Sequence, residues 1–312
     1  MSAAALNNTD IRSREGAYGT AGDPDAMAGW RGVPLEFPRV QGGDIAGTVV
    51  AVGDGVDPSR LGERVVVDCA LYERADDAAH AVGLVGSERD GGFAQFVAVE
   101  GQRAHDMEAS LLSDEELASL PIAYGTAMGM LERAELVPGE RVLVTGASGG
   151  VGVALVQLAA ARGCPVVAIT IEEKGNQVRA AGASQILPRD AVPADHLAER
   201  VDVVADVVGG PGFPRLVDVL AEGGRVVVAG AIAGPVIEID VRHVYLHSRR
   251  LIGSAMWTPA HFATLVEEAR NGSFRPVAAE VFPLEEIGAA QREFLGKQFV
   301  GKLVLSVPTT GS

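Results

Sequence analysis

The chain has few cysteines, few aromatic residues and few basic clusters. It has two cysteines, Cys69 and Cys164, in 312 residues. They lie far apart, which argues against a disulfide framework and for a reducing compartment. Aromatic residues make up 5% of the chain, against 47% apolar residues and 39 glycines. That balance disfavours a disordered or fibrous protein and favours a glycine-punctuated α/β one. Basic residues number 26 against 41 acidic ones, a net charge of −15. With no Lys/Arg cluster to meet a phosphate backbone, nucleic acid is not expected as a partner. No apolar run approaches the ~20 residues of a membrane span. The opening MSAAALNNTDIRSREG lacks the basic and apolar regions of a secretory signal. A cytoplasmic protein with no membrane partner is expected.

Two textures alternate along the chain. From about residue 36 to 100, short valine-rich runs are broken by glycine: DIAGTVVAVGDGV, ERVVVD and GGFAQFVAVE. This spacing predicts a compact antiparallel sheet or partly open barrel. Ser113 and Glu116 have the form of a capping box, opening a helix that stops near Pro121. A second helix is expected from Ala123 to Arg133, ending at the turn Val137-Pro138-Gly139-Glu140. The period then changes to strand, helix, strand. Strands are expected at Arg141–Thr145, Val166–Thr170, Gln185–Leu187, Val201–Val207, Arg225–Ala229 and Leu251–Ser254, with a helix at Val151–Ala161. Apolar strands with little alternation suit a parallel sheet covered on both faces, and six of them suit a doubly wound dinucleotide fold. Beyond it come a helix capped by Thr258, another at Leu284–Leu295 and a strand at Gly301–Val307.

The segment Thr145-Gly146-Ala147-Ser148-Gly149-Gly150-Val151-Gly152 falls directly after a predicted strand and opens a predicted helix. Glycines at 146, 149 and 152 permit a tight turn, close approach of a pyrophosphate and close helix packing. Free N–H groups and the helix dipole then face the negative charge. A glycine triplet alone also fits an ordinary strand–helix turn; here strand, helix and second strand are in register, which favours a nucleotide. An NAD site usually places a carboxylate at the end of the second strand. This chain has Thr170 there, then Glu172, Glu173 and Lys174. A hydroxyl followed by a lysine suits a 2′-phosphate and points to NADP(H). Glu172 and Glu173 leave NAD(H) as the alternative.

These segments, with LPIAYGTAMGML, VPGERVLVTGASGGVG, DVVGG and the terminal GKLVL, resemble the medium-chain dehydrogenase/reductases. The similarity is greater to the quinone oxidoreductase and enoyl reductase branch than to the zinc alcohol dehydrogenases. It implies an α/β fold in which a Rossmann, doubly wound parallel sheet is inserted in a GroES-like, partly open β-barrel catalytic domain. The domains would be residues 1–122 and 256–312 for the catalytic part and 123–255 for the nucleotide part. By the resemblance, further residues normally precede the Asn7 motif, so either the start is assigned too late or the first strands of the catalytic domain are missing, a loss that would expose sheet edges and apolar surface.

Carried over by position, the resemblance assigns the pyrophosphate to Ser148, Gly149, Gly150 and Val151 and the 2′-phosphate to Thr170 and Lys174. Val208 and Gly209, Gly230, and Gly253 with Ser254 would flank the ribose and nicotinamide. Thr126 would lie near the nicotinamide ring and Lys302 near the cleft. The positions of the catalytic zinc ligands are Asn7, Gly43 and Ile122, which form no ligand set, and the structural-zinc lobe retains only Cys69. Asp44 matches an acidic position beside the former metal and reads as a hydrogen-bond acceptor. A zinc-free hydride transfer is therefore implied, with Tyr18 as first candidate proton donor, Asn7 orienting substrate or amide, and Tyr124 a further candidate. An exposed or merely packed tyrosine is the alternative for each.

His243 and His247 are four apart but lack a third ligand, and Gly83–Gly92 reads as a turn between strands. The loops 13–36 and 256–262 are expected to line the pocket. The function implied is NADPH-dependent reduction of an activated C=C bond or a quinone, by a homodimer acting on a small molecule. The rivals are a degenerate protein that only binds NADPH and a zinc alcohol dehydrogenase.

Overall fold

The computed structural model describes residues 1–18, 35–76 and 78–308. The chain divides into two compact units, one of residues 1–122 and 258–312, the other of residues 123–257. The first stretch carries strands β1 (Ala3–Ala5), β2 (Asp44–Thr48), β3 (Arg64–Val67), β4 (Ala70–Tyr72), β5 (Ala81–Leu84) and β6 (Ala104–Asp106). The second unit carries β7 (Val142–Val144), β8 (Val166–Thr170), β9 (Gln185–Pro188), β10 (Val201–Asp206), β11 (Leu220–Val228) and β12 (Arg250–Gly253). Strands β13 (Ala278–Pro283) and β14 (Lys302–Ser306) return to the first unit.

In the first unit, six strands form one sheet in the order β13-β14-β1-β2-β3-β6, and β4 pairs with β5. The β13–β14 pair is parallel and the remaining pairs of the larger sheet are antiparallel. Three alanines make β1, a poor strand former by propensity. Ala4 nevertheless pairs with Ile45 on one side and Leu305 on the other, and all three alanines are fully buried. Tertiary pairing outweighs propensity there. The start of the chain thus lies inside this sheet, and its edges are β13 and β6.

The run GGFAQFVAVE forms no strand. Its first residues are drawn into loop pairing instead: Gly91, Gly92 and Phe93 donate their N–H groups to the carbonyls of Val40, Gly42 and Gln41. Beyond them Phe96 points into solvent at 63% exposure, so the alternating pattern buries no face. The capping box is present: Ser113 and Glu116 bond reciprocally and open the helix Asp114–Ala118.

In the second unit all six strands are parallel, in the order β12-β11-β10-β7-β8-β9. The chain begins in the centre with β7, runs outward through β8 and β9, then crosses back to β10. The resulting switch point lies between β7 and β10, where ligands bind in folds of this kind. Leu143, Val167, Val204 and Val226 come from four different strands and meet Phe213, Leu216 and Val217 in one core. Each such side chain contributes about 1.5–3 kcal/mol on burial.

Arg225 anchors the entry to this sheet. Its guanidinium meets both carboxylate oxygens of Glu140 at 2.6 Å and also donates to the carbonyls of Ala134 and Glu135. The turn before β7 is thereby held on β11 by a fork-to-fork pair. Among the described residues, no helix is long and apolar enough to cross a membrane.

Candidate functional site

The glycine loop leaves the end of β7 and becomes the helix Gly150–Ala161. Gly146 adopts φ +58°, the left-handed conformation glycine permits at least cost. Gly149 is the N-cap, and no side chain caps this end. The helix therefore opens with backbone N–H groups that have no acceptor within the helix, together with the positive end of its dipole. Gly152 is set by space: a Cβ there would lie 2.1 Å from the Gly146 carbonyl oxygen. Any side chain at 152 would push the helix away from the loop. Phosphate would be held by Ser148–Val151 in this cradle, so the geometry fits a dinucleotide.

A carboxylate that the sequence motif did not single out shapes the other half of the switch point. Asp206 ends β10, is fully buried, and accepts the Thr145 hydroxyl hydrogen at 2.6 Å. The same carboxylate accepts the N–H groups of Val208 and Gly209, while Val207 N–H donates to Thr145 Oγ1. One side chain thus joins the ends of β7 and β10 and fixes the loop 207–209. Its only sequence signal is an acid closing an apolar strand just before Val207-Val208-Gly209-Gly210.

The remaining cofactor candidates lie in the same unit. Gly209 has φ +64°, and a Cβ at Gly230 would lie 2.6 Å from the Val207 carbonyl oxygen, so both glycines serve close loop packing. Gly253 ends β12, and Ser254 Oγ accepts from Arg133. Thr126 is half-buried on the helix Pro121–Arg133. Thr170, the last residue of β8, and Lys174 beyond it are both largely buried. Tyr124 is buried with its hydroxyl donating to Gln157 at 2.5 Å, so it does not present a wet hydroxyl. His243 and His247 face Asp218 and Glu222 through Nδ1 at 2.5 and 3.1 Å, and among the described residues no group of three metal-binding side chains occurs.

In the first unit Asn7, Asp44 and Lys302 form a buried network. Lys302 donates to the Leu6 carbonyl at 2.7 Å and to Asn7 Oδ1, and lies 2.8 Å from Asp44 Oδ2. Asn7 Nδ2 donates to Asp44 at 2.8 Å, and Asp44 also accepts the Ile122 N–H at 2.7 Å. The polar atoms of Lys302 and Asn7 are engaged in joining β14, the N-terminal segment and β2. A Cβ at Gly43 would lie 2.8 Å from Ile122 Cδ1. The three positions matched to zinc ligands are thus neighbours, but glycine and isoleucine offer no donor atom. The residues do not fit a zinc ion.

Tyr18 is half-buried beyond the helix Asn8–Arg14. Burial pushes its hydroxyl above the usual tyrosine range, while a hydrogen bond with Thr9 and the Arg12 guanidinium pull against that shift. It is therefore held protonated at neutral pH. Residues 19–34 of the expected pocket loop 13–36 lie outside the described residues. Beside the network, Asp10 accepts the Asn7 N–H at 2.7 Å, and burial pushes its carboxyl up to about 7.

Comparison with known proteins agrees with both halves. Residues 1–109 match the alcohol dehydrogenase GroES-like domain, and residues 150–271 match the zinc-binding dehydrogenase family. The chain is 31% identical over 282 residues to acryloyl-coenzyme A reductase of Metallosphaera sedula, covering 87% of this chain and 84% of that one. It is 32% identical over 236 residues to the chloroplastic NADPH-dependent alkenal/one oxidoreductase of Arabidopsis thaliana, covering 75% and 55%. A crystal structure from Sinorhizobium meliloti 1021, assigned as an alcohol dehydrogenase, superposes with a TM-score of 0.91 at 45% identity, covering 98% and 87%. The chain belongs to the medium-chain dehydrogenase/reductase superfamily and is an oxidoreductase.

Two outcomes are expected from this geometry. Gly152→Ala should lower the melting temperature and abolish the fluorescence change on NADPH titration; unchanged binding would show that the loop is not the cradle. Asp10 holds its proton to higher pH than in the unfolded chain, where aspartate ionises near 3.8. Ionisation is therefore costlier in the folded state, and stability should fall as pH rises through this window, by a few kcal/mol at most. Melting temperatures between about pH 5 and pH 8 should decline in the wild type and flatten in Asp10→Asn.

Proposed function

We propose that the protein is an NADPH-dependent, zinc-free reductase of an activated C=C bond, in an enone or enoyl thioester, or of a quinone. The observation that carries this reading is an intact dinucleotide cradle in a chain whose former metal positions, Gly43 and Ile122, offer no ligand. The names of the relatives from Metallosphaera sedula and Arabidopsis thaliana support the C=C class, and the second supports NADPH.

When bound, the nicotinamide supplies the hydride for the electrophilic carbon. The second unit holds the pyrophosphate at the opening of the helix Gly150–Ala161 and orients the ring through the loops that Asp206 fixes. With no metal to polarise the acceptor, the developing negative charge must be met by a hydrogen-bond or proton donor. Tyr18 is that donor: its burial keeps the O–H intact near neutrality, and Thr9 holds it in place. A second reading, NADPH binding without turnover, is favoured by one observation. Both Asn7 and Lys302 have their polar groups engaged within the first unit.

The location proposed is the cytoplasm, in keeping with two buried free cysteines. A homodimer is proposed through β12. This is an edge strand of the parallel sheet, and Leu251 on it is 45% exposed, with Tyr245 and Leu246 beside it in sequence at 63% each. An unpaired, partly apolar edge is a template for strand pairing.

Titration with NADPH and NADH, followed by assays with small enones, quinones and an enoyl thioester, tests the activity. Binding and turnover of one of these classes are expected. Tyr18→Phe should lower kcat by about 10²- to 10⁴-fold with NADPH affinity unchanged. Binding without turnover on any of the three classes would favour the second reading, and binding of neither cofactor would remove both. Light scattering should give twice the chain mass, falling towards one chain mass in Leu251→Lys; a wild-type mass of one chain would overturn the dimer.

A further inference from the structure

The helix Asn8–Arg14 ends in a fold-back that carries Tyr18. Gly16 takes φ +70°, the left-handed conformation that commonly closes a helix. Gly16 and Ala17 then donate their N–H groups to the carbonyls of Ser13 and Arg12 at 3.1 and 2.9 Å. The chain turns back along the helix, and the Tyr18 hydroxyl shares a side-chain hydrogen bond with Thr9. Residues three apart on a helix are neighbours on one face. Arg12 therefore stands one turn from Thr9, on the side to which Tyr18 returns.

The last turn of this helix holds two arginines, Arg12 and Arg14, and they are used differently. Arg14 donates to Gln291. Arg12 is exposed and, among the described residues, its guanidinium has no ion pair or hydrogen bond. Its charge nevertheless acts on Tyr18. Burial is the largest influence on that hydroxyl and opposes its ionisation; the Thr9 hydrogen bond and the Arg12 guanidinium favour it, and the carboxyl groups of Asp10 and Glu88 oppose it. Glu88 is fixed in place by accepting the Leu84 N–H at 2.7 Å. Arg12 is thus the cation set against two carboxyls around one hydroxyl.

Proton donation makes this balance matter. Once the β-carbon of an activated C=C bond has taken the hydride, the π electrons move to the carbonyl oxygen as an enolate. The proton then passes from Tyr18 Oη to the α-carbon, the carbonyl re-forms, and Tyr18 is left as a phenolate until solvent reprotonates it. A half-buried phenolate beside two carboxyls is unfavourable, and a nearby guanidinium offsets that through Coulomb attraction.

We propose that Arg12 is a positioning residue for the proton donor: its free guanidinium, one turn from Thr9, stabilises the phenolate that Tyr18 becomes on giving up its proton. The assignment rests on Tyr18 as the donor and adds the charge that lets it donate. Arginine suits the task because it stays charged across the working pH range, so its support does not vary with pH.

The test is a double-mutant cycle on the full-length protein, with NADPH and either but-3-en-2-one as the enone or acryloyl-coenzyme A as the enoyl thioester. Arg12→Ala should lower kcat by up to about ten-fold, the effect of about one pKa unit on the donor, with NADPH affinity and melting temperature nearly unchanged. In a Tyr18→Phe background the same substitution should change kcat by less than about two-fold, because the group it acts through is gone. Arg12→Lys should recover most of the loss. An Arg12→Ala protein as active as the wild type, with Tyr18→Phe impaired, would overturn the role of Arg12 and leave Tyr18 as the donor. Equal losses in both backgrounds, or no recovery with lysine, would also overturn it. Undiminished kcat in Tyr18→Phe, or no turnover of either substrate by the wild type, would remove the donor and this role together.

Discussion

The helix that follows β7 can sit against the glycine loop only because residue 152 has no side chain. A Cβ there would fall 2.1 Å from the Gly146 carbonyl oxygen, well inside contact distance. The rest of the second unit follows from that approach. The close seat puts the uncapped amide end of the helix at the carboxyl edge of the sheet, beside the point where the strand order reverses. Asp206 then finishes the arrangement by joining the Thr145 hydroxyl to the loop after β10. The cradle is thus a steric concession at one residue, stabilised by a buried carboxylate at another.

The first unit is organised around a different problem, a buried ammonium. Lys302 is 3% exposed and Asp44 fully buried. An ion pair so placed is tolerated when its remaining hydrogen bonds are filled. They are filled here by the Leu6 carbonyl, the Asn7 amide and the Ile122 N–H. Segments far apart in the chain are therefore tied together at a position that related zinc enzymes, by resemblance, give to a metal. The polar centre has a structural duty there, holding these segments together.

Much of this was legible from residues alone. The parallel strands announced themselves as valine-rich runs, and the glycine spacing located the cradle, because both depend on local sequence. Most strand ends shifted by at most a residue; β11 is the exception and begins at Leu220 rather than Arg225, and β7 is shorter than its apolar run. What was not legible depends on distant partners. Three alanines do not read as a strand until Ile45 and Leu305 flank them, and GGFAQFVAVE reads as one although its first residues bond to a loop. The same limit applied to the site. Lys302 and Asn7 carry the chemistry of ligands, and only the fold reveals that they hold each other. Asp206 gave no motif, since it acts across neighbouring strands.

The position of β1 bears on how the molecule is made. Residues 3–5 pair with residues 304–306, so the centre of the first sheet joins segments separated by nearly the whole chain. Closing so long a loop is slow compared with pairing contiguous strands. During synthesis the second unit, continuous from 123 to 257, is complete in sequence and able to fold while the first still waits for β14. Until that strand emerges, Ala3–Ala5 has β2 on one side and an unpaired backbone edge on the other. The nascent protein is thus a finished nucleotide fold carrying an unfinished sheet, and that sheet is where a chaperone would have most to do.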